Sequence, residues 1–247
     1  MKLAVISFSG NVGKTTLARH LLAPRIPGSR VLSIESINAD NDQDQVLRGR
    51  QFAELQDVLQ MVDDLIVDIG ASNVEDLLAL MRQYRGSHED FDAFIVPTVP
   101  PQKQQQDTVA TLVELSRLGV PADKVRLVFN LVDDEAELER VFDTVLAFLR
   151  TSPVARVSLK ARLGTNDLYG RIKGSGADLA HLAADTTDYK SLIAAAPDSA
   201  RKLALAQQLA ICRLARGVVP ELDACFAALD LGSVARNAAP TRSRRTA

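Results

Sequence analysis

The sequence predicts an α/β fold: three layers, with a mostly parallel sheet between helices and a helical C-terminal region. Three observations carry the expectation. Residues 2 to 16 pass from an apolar run through a glycine-containing turn into a helical pattern. Short apolar runs then alternate with longer helical stretches up to about residue 149, the order that builds a parallel sheet with helices on both faces. From Asp178 onward the pattern becomes Ala/Leu-rich and helical.

The first unit is the most specific. Its strand runs straight into Ser9-Gly10-Asn11-Val12-Gly13-Lys14-Thr15-Thr16. Gly10 and Gly13 allow the backbone to fold around an anion, and the helix that follows adds its positive end. Lys14 then reaches the β- and γ-phosphates and Thr15 places its hydroxyl on Mg²⁺, which makes this a phosphate-binding loop and the fold that of a P-loop NTPase. An ordinary strand-to-helix turn is the competing reading, and the strand, loop and helix in sequence argue against it. The strict G-x-x-x-x-G-K-T spacing is not met, because Phe8 stands at its first glycine.

The remaining units follow in order. Arg30 to Glu35 is a β-rich run entered from Pro27-Gly28-Ser29 and followed by the polar segment Ser36 to Asp44. Leu65-Ile66-Val67-Asp68-Ile69, Phe94-Ile95-Val96 and Val125-Arg126-Leu127-Val128-Phe129 read as buried strands. Helices are predicted at roughly 50–61, 73–84, 103–118 and 135–149, then 187–196, 198–216 and 219–230. In such folds ligands bind at the carboxyl ends of the strands, and Pro97 to Pro101 breaks structure at one of them. Residues 1–235 read as a single domain and 236–247 as a basic, disordered tail.

Composition fits one globular unit, with 47% hydrophobic and 24% charged residues in 247. Twenty-nine basic against 31 acidic residues give no global field for nucleic acid or a membrane, so such partners need a local patch. No apolar run approaches a membrane span and the first residues read as a core strand rather than a signal peptide, so a cytoplasmic location is expected. Cys212 and Cys225 have no His nearby and fit reduced core thiols.

Candidate chemistry sits at strand ends. Asp68 closes an apolar strand before Ile69-Gly70-Ala71-Ser72, where a carboxylate can hold Mg²⁺ through water or cap the next helix. Gly70 suits close approach of the backbone to a γ-phosphate. Asn130 carries both donor and acceptor and can match an adenine edge, or it is a turn-forming residue. Lys202, Arg213 and Arg216 lie within roughly 60° around one helix. That stripe is a solvated face or, with Arg242, Arg244 and Arg245, a surface for non-specific DNA contact.

The segment Ser9 to Thr16 resembles the deviant phosphate loop of the ParA/MinD superfamily, with Ser9 at the signature lysine and Asn11 at the second glycine. The run Phe8 to Leu22 is most similar to the StbB group of plasmid-encoded ParA-like proteins, linked to plasmid stability and conjugation. The resemblance covers roughly residues 1–175. It implies ATP or ADP with Mg²⁺, held by Ser9 through Thr16, Gly70 and Asn130, with Lys14 and Asp68 in catalysis and Thr15, Asp68 and Glu35 at the metal. It places Asn130 on adenine and Arg156 to Lys173 in the base-flanking loop. It also implies a homodimer and a plasmid-encoded DNA-binding partner protein. The family's water-orienting Asp falls at Ile37, and Asp40 and Asp42 are out of register for that role. These departures point to a slow Mg²⁺-dependent ATPase, or to an adaptor that holds nucleotide and hydrolyses little. A dethiobiotin-synthetase-like ligase, whose loop also lacks the extra lysine, ranks third because no substrate-binding constellation accompanies it.

Overall fold

The computed structural model describes residues 1–34 and 44–233, with backbone alone over 44–50. Among these residues the strands are β1 (Lys2–Val5), β2 (Arg30–Ile34), β3 (Leu65–Ile69), β4 (Ala93–Thr98), β5 (Val125–Asn130) and β6 (Arg162–Leu163). They form one sheet in the order β2-β3-β1-β4-β5-β6, with every pairing parallel. The helices are α1 (Lys14–Thr16), α2 (Asp44–Met61), α3 (Val74–Gln83), α4 (Gln102–Leu118), α5 (Leu138–Val141), α6 (Asp143–Thr151), α7 (Leu168–Ile172), α8 (Leu179–Ala184), α9 (Tyr189–Ala195) and α10 (Ser199–Ala228). A π-helical stretch, Leu17–Leu22, continues α1.

Strand alternation divides the core in two. Ala4, Leu65, Val67, Phe94, Leu127 and Phe129 point to the layer built from α2 through α6. Leu3, Val5, Ile66, Ile95 and Val128 point the other way, to the π-helical stretch, α7, α8 and α10. The central strands are apolar on both faces because both are covered. The same period decides the site: Asp68 and Asn130, one and two residues beyond Val67 and Val128, turn towards the α1 face.

Two expectations are corrected. The helix predicted over 135–149 is a 3₁₀ turn, Glu135–Glu137, then α5 and α6 separated at Phe142. Phe142 is fully buried with its ring edge-on to Phe129 at 5.0 Å, so packing the aromatic sets the break. The two helices predicted over 198–216 and 219–230 are one 30-residue helix running through Pro220. An interior proline costs about 3 kcal/mol, yet Ala215, Val218, Leu222 and Cys225 stay buried on one stripe across it. Full burial is worth about 1.5–3 kcal/mol for each large side chain, so packing outweighs the local signal. Strand β6 and helices α7 and α8 were not predicted; each is too short to show a period.

Both cysteines are free and buried, as expected. Glu35, Ile37, Asp40, Asp42 and the tail with Arg242, Arg244 and Arg245 lie outside the described residues. No helix among the described residues is long and apolar enough to cross a membrane.

Candidate functional site

The loop from Phe8 to Gly13 joins the central strand β1 to α1. Gly13 has φ 89°, and a Cβ on it would stand 2.3 Å from Asn130 Nδ2, so the position excludes a side chain on two counts. Asn11 takes the other left-handed conformation at φ 58°. Gly10 keeps φ out of that region and would meet nothing within 4 Å if it carried a Cβ. The backbone reversal expected of Gly10 and Gly13 is therefore carried by Asn11 and Gly13.

Lys14 is buried and curls back over the loop, donating from Nζ to Ser9 O at 2.6 Å and Ser7 O at 3.3 Å. Burial pushes its pKa below the ordinary lysine value, and the Asp68 carboxylate works against that shift. The ammonium thus waits in a partly dry loop with two neutral carbonyls as partners, an arrangement that an anionic ligand improves.

Thr15 and Asp68 are brought together across the α1–β3 boundary. Thr15 Oγ1 donates to Asp68 Oδ2 at 2.7 Å, and Ser33 Oγ on β2 donates to the same oxygen at 3.4 Å. The Asp68 side chain is not a helix cap: the next helical turn begins at Gly70 with no side-chain cap bond. A buried carboxylate and a hydroxyl in contact are hard oxygen donors, the set Mg²⁺ takes beside phosphate oxygens and water. Gly70 is extended at φ −57°, and its N–H is spent on Ile34 O at 2.9 Å.

Asn130 holds the loop from behind, with Nδ2 donating to Val12 O at 2.9 Å. That bond occupies one amide hydrogen of the side chain. Of the segment 156–173, Asn166 caps Leu168 N at 2.9 Å, and the Tyr169 ring stands 5.7 Å from that of His20. Arg162 pairs with Glu135, while Gly164 N donates at 2.5 Å to Glu221 on α10.

Three residues near the loop were not singled out in the sequence. Ser9 Oγ donates to Asp107 Oδ2 on α4 at 2.5 Å, and Phe8 N donates to Thr111 Oγ1 at 3.1 Å. Glu221 is the third, reaching the loop after β6. The buried hydroxyls Thr108 and Thr111, one helical turn apart just after Asp107, were the available sign that α4 turns a polar face to a strand end. The cationic stripe resolves unevenly: Lys202 and Arg213 are exposed, but Arg216 donates to Ala183 O at 3.3 Å and to Asp185 O, tying α10 to the α8–α9 connection.

The parallel sheet, helical C-terminal region and loop–Lys14–Thr15–Asp68 arrangement give the α/β fold of MinD/ParA-type P-loop NTPases. Among solved structures, apo McdA from Cyanothece is similar at 14% identity and TM-score 0.50, covering 84% of this chain and 98% of that one. The MinD cell division protein of Aquifex aeolicus matches at 11% identity and TM-score 0.49, over 87% of this chain and 97% of that one. An ATP complex of a Cyanothece McdA variant matches at 14% identity and TM-score 0.46, over 85% and 96%. No protein-family model matches the chain, and no curated protein matches it.

Proposed function

We propose that the chain is an ATP-binding, ParA-like P-loop ATPase acting as a nucleotide-dependent switch in plasmid stability, partition or conjugative transfer. The observation that carries the nucleotide part is the contact of Thr15 Oγ1 with Asp68 Oδ2 at 2.7 Å beside a buried, inward-turned Lys14. Lys14 exchanges its carbonyl partners for β- and γ-phosphate oxygens, and Asn130 keeps the loop in register while its remaining amide atoms face the base. Thr15 and Asp68 would hold Mg²⁺, which would supply positive charge beside the phosphates.

The plasmid role rests on the resemblance of Phe8 to Leu22 to the StbB group, and with it come a homodimer, a plasmid-encoded DNA-binding partner and a cytoplasmic location. Lys202 and Arg213 remain as cations for direct DNA contact. The Ser9–Asp107 bond favours a second reading, an adaptor that holds nucleotide with little turnover: the residue in the signature-lysine position is committed inside its own subunit.

ATP and ADP titration by calorimetry, then ATPase assays with and without DNA and a candidate partner, separate these readings. Binding with partner- or DNA-stimulated turnover supports the switch, and binding without turnover selects the adaptor. Absence of nucleotide binding removes both. Turnover that requires a metabolite points to the ligase.

A further inference from the structure

At the opposite pole of the sheet lies a cleft of about 100 Å³ between the start of β5, the 156–161 segment and the end of α10. Arg126, Arg156, Ser158 and Asp230 line it over Leu127 and Ala228. Arg126 is the second residue of β5 and Asn130 the last, so the cleft stands about 13 Å along the strand from the residue that braces the phosphate loop.

Arg126 is 3% exposed in a sheet, an unusual place for a guanidinium. Strand alternation explains its direction, the same α10 face as Val128. Among the described residues every oxygen it bonds is neutral: Nε donates to Leu229 O at 2.7 Å, one terminal nitrogen to Asp123 O and to Val125 O at 3.4 Å, and the other to Ser233 Oγ at 3.4 Å. Leu229 is the C-cap of α10, so the negative end of that helix answers part of the charge. A second guanidinium converges on the same hydroxyl, Arg156 donating to Ser233 Oγ at 3.0 Å. The half-exposed Asp230 carboxylate pairs with Arg156 at 3.6 Å, beyond the 2.7–2.9 Å of a charge-assisted bond. Burial and then the Arg156 charge lower the Arg126 pKa, while the Asp230 and Asp123 carboxylates work against that shift.

We propose that this cleft binds one small oxyanion of phosphate or sulfate size, gripped between the guanidiniums of Arg126 and Arg156. The volume admits one tetrahedral anion and excludes a nucleotide. Guanidinium forks match such oxygens, and an anion there competes with the long Asp230 pair for Arg156. The site is independent of the nucleotide reading.

Inorganic phosphate titrated into the full chain, followed by calorimetry with sulfate as competitor, tests the proposal. Saturable binding of one phosphate at this cleft, besides any that the phosphate loop takes, with a dissociation constant of about 1 mM or below is expected. Arg156→Met, at a half-exposed position, should weaken it at least tenfold while the chain keeps its folded circular-dichroism spectrum. Asp230→Asn, which removes the competing carboxylate, should tighten it severalfold, a sign that a purely structural pair does not produce. Lys14→Ala should leave it unchanged. Loss of phosphate binding in Lys14→Ala with retention in Arg156→Met assigns the anion to the phosphate loop and overturns the proposal, as does the absence of saturable binding.

Discussion

The hydroxyl of Ser9 donates to the carboxylate of Asp107 at 2.5 Å, fastening the start of the phosphate loop to α4. Ser9 is buried, and this bond points its only donor into its own subunit. A hydroxyl so placed neither reaches across an interface nor neutralises phosphate charge.

Ser9→Ala is therefore expected to leave any ATP-dependent self-association intact while costing about 1.5–3 kcal/mol of stability, the range for a bond to a charged group. Sedimentation with ADP, ATP and a non-hydrolysable analogue reads the first part and urea unfolding the second. Loss of an ATP-dependent dimer in Ser9→Ala would show that the hydroxyl serves the interface, and the adaptor reading would lose its main support.

Lys14 supplies a pH signature. Its folded pKa lies below the ordinary value of 10.5, so between the two the unfolded chain binds the proton that the native state has released. Stability of the nucleotide-free protein should accordingly rise with pH through the window below 10.5 relative to Lys14→Met. Thermal unfolding of both proteins across alkaline pH checks the sign; a falling difference contradicts it. Lys14→Ala should also weaken ATP binding at least tenfold, about 1.4 kcal/mol, because charge-assisted bonds to two phosphates are lost.

Asp68→Asn keeps an acceptor for Thr15 Oγ1 but removes the charge that a divalent ion needs. Mg²⁺ should then no longer strengthen ATP binding, whereas ATP without metal should bind as in the unaltered chain. Hydrolysis by the unaltered protein should be slow, since Ile37 stands where the family resemblance calls for a water-orienting acid. Basal turnover on the order of the ~10 s⁻¹ typical of enzymes would mean that another acid fills that role.

The loop glycines separate cleanly. Gly13→Ala forces a left-handed φ on alanine, about 1–2 kcal/mol, and drives its methyl into the Asn130 amide. Both stability and ATP affinity should fall. Gly10→Ala meets open space and should stay within about 0.5 kcal/mol of the parent in stability. Equal destabilisation by the two would contradict the loop geometry.

Much of the fold was legible because it is written in local periods. Apolar runs at 65–69 and 125–129 become central strands, and the loop residues Ser9 to Thr16 need only the preceding strand and following helix to be read. Asp68 was legible as a carboxylate at a strand end and Thr15 as the residue after the loop lysine, whereas their 2.7 Å contact is seen only in the structure.

Contacts between distant segments were not legible, because no period or spacing encodes which side chains meet. Asp107 reads as one polar residue in a helix, and only packing of α4 against the loop makes it the partner of Ser9. Pro220 signals a helix end locally, and the buried stripe from Ala215 to Cys225 overrides it. Asn130 shows an amide of two uses in the sequence, and the Val12 carbonyl at 2.9 Å decides that one hydrogen braces the loop. By itself the sequence determined the fold class and the strand–loop–helix unit around Ser9 to Thr16, and it named the residues proposed to face a nucleotide, all properties of neighbouring residues and their periods. Tertiary structure alone decided which donors are already spent, which cations are buried together and where α10 runs, because those depend on burial and on bonds between residues up to about a hundred positions apart.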